Sequence, residues 1–96
     1  MVDPPAGGLL SRMFTTYVIK NSRNKIYIGN TKDLQSRLQY HNGTLPNKKT
    51  SFTYKQGGPW TLVYTEKYDT LALAQKRERE LKTARGRKFI KNILQI

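Results

Sequence analysis

Two runs of β-branched and aromatic residues, Phe14–Lys20 (FTTYVIK) and Lys25–Gly29 (KIYIG), are separated by only Asn21-Ser22-Arg23-Asn24. Strand formers joined by so short a turn-forming segment read as an antiparallel hairpin. Thr31-Lys32-Asp33-Leu34 follows, where Thr31 is expected to cap a short helix with Leu34, Leu38 and His41 at i, i+4 and i+7. Asn42-Gly43 supplies a left-handed stop. Residues 44–59 hold Pro46, Gly57, Gly58, Pro59 and several lysines, and read as an ordered but irregular basic loop with room for one helical turn. Trp60–Tyr68 (WTLVYTEKY) is a third strand. Asp69 or Thr70 then caps a long helix with Leu71, Ala74, Leu81 and Ala84 along one side. Gly86 is expected to break it before a last short helix carrying Ile90, Ile93 and Leu94. The order ββαβαα predicts an α+β domain over residues 13–96, a small three-stranded antiparallel sheet flanked by helices.

The length, 96 residues, allows one compact domain. Its 18 Lys+Arg against 6 Asp+Glu give a net charge of +12, and a surface that basic is best tolerated beside a polyanion. Nucleic acid is the first candidate and an anionic membrane surface the second. Charge names a partner, not a reaction. Cysteine is absent, which excludes disulfides and thiolate zinc sites, and the single His41 excludes a multi-histidine metal site. No apolar run approaches the ~20 residues of a membrane span. Met1–Arg12 (MVDPPAGGLLSR) lacks the apolar core of a signal peptide and reads as a disordered leader or cloning scar, so the expected location is cytoplasmic.

Among the six acidic residues, Asp3 lies in the leader, Asp33 in a helix first turn, Asp69 at a cap and Glu66 in a strand. Glu78 follows Ala74 by four residues and precedes Leu81 by three, which sets it within the apolar stripe of the long helix; Glu80 lies at the stripe's other margin. A carboxylate there, among Lys76, Arg77, Arg79 and Lys82, either pairs with a neighbouring base or holds a metal. Arg37 and His41 project from one helix face a turn apart. Arg37 can fork onto a phosphate or contact backbone passively; His41 can bond a phosphate, share a proton with a tyrosine, or merely close the helix. Tyr17 and Tyr27 lie centrally in the two hairpin arms, with their relative parity left open by the sequence.

Four blocks in order carry a resemblance. Tyr17-Val18-Ile19 and Tyr27-Ile28-Gly29, ten positions apart, resemble the two halves of the GIY-YIG nuclease signature. Thr31-Lys32-Asp33-Leu34 with Arg37 and His41-Asn42 is similar to that family's first helix, Gly58–Tyr64 to its third strand, and Ala74–Lys82 to its last conserved helix. The resemblance covers about Phe14 to Ile93 and is closest to the small stand-alone bacterial type, related to the N-terminal nuclease module of UvrC and to structure-specific endonucleases. Two departures stand out: Thr15-Thr16 precede Tyr17 where glycine or an apolar residue is usual, and Gln56 replaces a frequent base.

The resemblance implies a metal-dependent endonuclease acting on DNA, in repair or recombination. By position, Tyr17 helps activate the attacking water, Tyr27 orients water or phosphate, Arg37 stabilises the transition state, and Glu78 binds one Mg²⁺ or Mn²⁺. His41 matches a histidine of many branches, and Asn92 falls near a further polar position of some members. Gly29 permits a close approach, while Lys32, Lys76, Arg77, Arg79 and Lys82 are expected to contact the substrate. No obligate protein partner is implied. A basic DNA- or RNA-binding module without catalysis is the alternative on the same fold.

Overall fold

The computed structural model describes residues 13–43 and 52–96; the expected leader and the first half of the basic loop lie outside the described residues. The elements are β1 (Phe14–Lys20), β2 (Ile26–Thr31), α1 (Leu34–His41), α2 (Phe52–Gln56), β3 (Thr61–Tyr68), α3 (Leu71–Leu81) and α4 (Ala84–Leu94). β1 is central in an antiparallel sheet of order β2-β1-β3. Its five middle residues are all buried, because helices cover both faces of the sheet. The expected α+β architecture is what forms.

The period of two along β1 sorts the core into two layers. Tyr17 and Ile19 face Trp60, Leu62, Tyr27 and the α1 residues Leu34 and Leu38. Val18 faces the opposite way, onto Ile28, Leu81 of α3 and Ile90 of α4. A bulge after Val18 moves the pairing from Val18–Tyr64 to Ile19–Leu62. The extra residue, Val63, joins the second layer while Leu62 stays in the first. At the hairpin turn Asn24 adopts φ +62°. Buried Asn21 accepts from the backbone N–H of Arg23 and Lys25 at 3.0 and 2.9 Å.

Three boundary expectations are corrected. Asp33, not Thr31, caps α1: its carboxylate accepts from the Ser36 N–H at 3.1 Å and the Ser36 hydroxyl at 2.7 Å. Thr31 ends β2, and its hydroxyl accepts from the Asp33 N–H at 3.0 Å. Trp60 precedes β3 instead of opening it, since its N–H and C=O are taken by the Asn42 side chain at 2.5 and 3.0 Å. Gly86 does not break the long helix. α3 ends at Leu81, and Thr83 caps α4 by accepting from the Gly86 N–H at 3.1 Å. The other caps are as read, with Thr70 capping α3.

On the α3 side of the sheet, Arg77 forks onto Glu66 at 2.8 and 3.1 Å, reaches Glu80 at 3.4 Å and lies over the Phe89 ring. Burial pushes the Glu66 carboxyl up, but the Arg77 guanidinium and the Tyr64 and Tyr68 hydroxyls that donate to it outweigh that and hold it below the usual carboxylate range. This clamp ties β3 to α3.

Gly86 is required by helix packing. A Cβ there would lie 2.2 Å from the Glu80 carbonyl oxygen and 2.4 Å from the Leu81 Cα, backbone atoms that cannot swing aside. Gly86→Ala is expected to cost about 2–3 kcal/mol, against the gain of up to about 1 kcal/mol that alanine brings to an unobstructed helix. Urea unfolding of both proteins checks the sign.

Candidate active site

The register answers the parity question. Tyr17 pairs with Gly29 and Ile19 with Tyr27, so both tyrosines leave the same face of the hairpin. Gly29 lies directly beneath the Tyr17 ring: a Cβ would meet the phenol oxygen at 2.7 Å and Cζ at 2.9 Å. The close approach expected at Gly29 is therefore made by Tyr17 itself.

α1 crosses this face and brings Arg37 and His41 to the phenols. The Tyr17 hydroxyl is 2.8 Å from His41 Nε2, and His41 Nδ1 is 3.0 Å from the Thr53 hydroxyl of α2. The Tyr27 and His41 rings are 4.8 Å apart, and those of Tyr17 and Tyr27 6.3 Å apart. Arg37 stacks on Tyr40 at 4.8 Å with its guanidinium beside Tyr17. Its buried Nε has no hydrogen-bond partner among the described residues. Four of the five expected catalytic residues thus meet in one half-enclosed cluster.

Burial dominates the electrostatics. It pushes the Tyr17 phenol up to about 12, with Arg37 pulling the other way. Burial, then the Arg37 charge, lower His41 to about 4, so the imidazole is neutral at pH 7. Arg37 is held charged: its burial disfavours the cation, but hydrogen bonding to Tyr17 and attraction to Tyr17, Tyr27 and Tyr40 raise its pKa overall.

Glu78 comes from the opposite layer. Asn30, on the face of β2 that looks toward α3, donates to Glu78 Oε1, and Lys82 contacts Oε2 at 2.6 Å. Glu78 bears on Tyr17 through charge. No group of three or more His, Cys, Asp or Glu assembles among the described residues. A single half-buried carboxylate nevertheless suits a hard divalent cation that keeps waters and takes further oxygens from a phosphate. Lys82 is 46% exposed and free to turn to solvent, so the donor set fits such an ion.

The other expected contact residues divide. Lys76 and Arg79 are exposed on α3, and Lys32 lies 5.5 Å over the Phe14 ring. Arg77 is committed to Glu66, Lys82 reaches Glu78 from an exposed position, and Asn92 is exposed on α4. Sequence reasoning missed Asn30 and Thr53, and read Asn42 as part of a helix stop and of the His41-Asn42 match without its hold on Trp60. Asn30 had a signal, since it shares the parity of Thr16 and so of the α3 layer. Thr53 had none, lying in a stretch without periodicity.

The model of the GIY-YIG catalytic domain matches residues 13–92, nearly the whole described chain. The chain belongs to the GIY-YIG family. Two proteins named UPF0213, from Staphylococcus aureus strains Mu3 and Mu50, are each 38% identical over 77 residues, covering 80% of this chain and 89% of theirs. GIY-YIG domains are nuclease domains that act on nucleic acid and generally use divalent metal ions. The UPF0213 name adds no substrate. Among the described residues no helix is long and apolar enough to cross a membrane.

The low His41 value sets a pH dependence. The folded pKa, about 4, lies below the ordinary 6.5, so between those values the unfolded chain binds more protons and stability falls as pH falls. The loss from pH 7 to pH 4 is expected to reach about 3 kcal/mol. Urea midpoints across that range check it, with His41→Gln lacking this part of the slope.

Proposed function

We propose that this chain is a metal-dependent endonuclease that hydrolyses phosphodiester bonds in DNA, working in repair or recombination in the cytoplasm without an obligate protein partner. One observation carries the reading: the Arg37 guanidinium, whose buried Nε has no partner among the described residues, stands beside a phenol already bonded to a neutral imidazole. A phosphate oxygen satisfies that donor, and an acceptor for the proton of the attacking water lies next to it.

Tyr17 is not a ready-made base, since a phenol with a pKa of about 12 has only about 10⁻⁵ phenolate at neutral pH. It acts instead as a relay. The phenol oxygen takes a proton from water as its own proton passes to His41 Nε2 across 2.8 Å. Arg37 repels a charged His41 in the free protein. A phosphodiester on Arg37 offsets that repulsion and makes the imidazole a better acceptor when substrate is bound. Tyr27 orients the phosphate or the water. Glu78 would hold Mg²⁺ or Mn²⁺, which when bound stabilises charge on the phosphate and leaving oxygen. Lys32, Lys76 and Arg79, with the exposed Arg85, Arg87, Lys88 and Lys91 of α4, supply charge for the backbone of the nucleic acid.

The engagement of both Glu78 oxygens, by Asn30 and Lys82, favours a second reading in which the fold binds nucleic acid without cutting it. One experiment separates the two: labelled duplex, branched and single-stranded DNA and RNA, incubated with Mg²⁺, Mn²⁺ or EDTA. Nicking in metal and none in EDTA is expected, reduced about 10²- to 10³-fold in Glu78→Gln and Arg37→Ala with the circular dichroism unchanged. Salt-sensitive binding with no turnover in any arm selects the binding module. Cleavage that survives both substitutions sinks the assigned roles.

A further inference from the structure

A neutral imidazole has one N–H and one lone pair, so the two hydrogen bonds of His41 must run in opposite senses. The distances, 2.8 Å from Nε2 to the Tyr17 hydroxyl and 3.0 Å from Nδ1 to the Thr53 hydroxyl, admit either tautomer. The charge of Arg37 beside Tyr17 sets a bias: a guanidinium only donates, so it attracts the lone pairs of the phenol oxygen and turns the phenol hydrogen away from itself, toward an acceptor. Among the described residues that acceptor is Nε2. Nδ1 then carries the hydrogen, and Thr53 Oγ1 accepts it. The other tautomer would aim an imidazole N–H at a phenol oxygen that already faces Arg37, and would leave the Tyr17 proton without an acceptor among the described residues.

We infer that Thr53 is a positioning residue whose hydroxyl selects the Nδ1–H tautomer of His41 and so keeps Nε2 open to the Tyr17 proton. This rests on the reading of Tyr17 and His41 as the proton-transfer pair. The hydroxyl is held for the task by a closed circuit. Thr53 is 2% exposed, and its carbonyl accepts from the Trp60 indole at 3.2 Å and from the Gly57 N–H at 3.1 Å. The Trp60 backbone is held at both its N–H and C=O by the Asn42 side chain, and Asn42 is the next residue after His41. Helix end, tryptophan, threonine and imidazole therefore fix one another. Rotation of the ring would break the circuit at a buried bond.

His41 is the only histidine, so its ring nitrogens can be assigned directly in long-range ¹H–¹⁵N correlation spectra. At pH 7 the expected pattern is a protonated Nδ1 and an unprotonated Nε2, retained in Thr53→Ser and lost or mixed in Thr53→Val. A protonated Nε2 in the unaltered protein overturns the assignment whether or not the valine variant folds, as does an unchanged tautomer in folded Thr53→Val. In the nicking assay kcat is expected to fall about tenfold or more in Thr53→Val with KM unchanged, and to recover in Thr53→Ser. An unaltered kcat in the valine variant overturns the positioning role. Absence of nicking in the unaltered protein strikes at the proposed nuclease instead, and the tautomer spectra then decide on Thr53 alone.

Discussion

The 2.8 Å contact between the Tyr17 phenol and His41 joins the buried middle of the central strand to the end of the first helix, and the site's chemistry follows from where that contact lies. Two polar groups taken out of water must satisfy each other. Once they do, neither is easily charged: burial moves the phenol up to about 12 and the imidazole down to about 4. The cluster keeps one permanent cation, Arg37, beside two neutral proton carriers. Such a site receives an anion without first having to discharge a group of its own.

The two faces of the sheet divide the labour. On the α1 face, tilted rings in contact and one guanidinium build a compact, largely uncharged relay. On the α3 face lie the carboxylates, Glu66 locked in its clamp and Glu78 between Asn30 and Lys82. Gly29 makes the first face possible, because only a missing side chain lets the Tyr17 phenol come so close to the neighbouring strand. Gly86 does the same for the second by letting the start of α4 rest against the end of α3.

Much of this was legible beforehand, wherever periodicity or turn chemistry spoke. The hairpin, the apolar stripe of α1 and the inward bias of Glu78 follow from spacing and are present in the structure. The failures share a cause. Thr31 and Asp33 are both competent caps two residues apart, and only the bonds to Ser36 distinguish them. Glycine as a helix breaker and glycine as a packing notch look alike in sequence, and what separates them at Gly86 is the backbone of a different helix. Thr53 and Asn42 act through contacts between segments that local pattern does not relate.

The clamp around Arg77 has a consequence for the surface. With 6 acidic residues against 18 basic ones, the chain engages Glu66, Glu78 and Glu80 with Arg77 and Lys82, and Asp33 at a cap. Little negative charge is left to temper the outward-facing lysines and arginines. Mutual repulsion among them opposes the compact state and is screened by added salt, since the Debye length shrinks from about 10 Å at 0.1 M to about 3 Å at 1 M. The same ions compete with the protein for a nucleic acid backbone. Ionic strength therefore acts on this molecule in two opposed senses, firming the free fold as it loosens the complex, and a bound polyanion stands in for the counter-charge the sequence lacks.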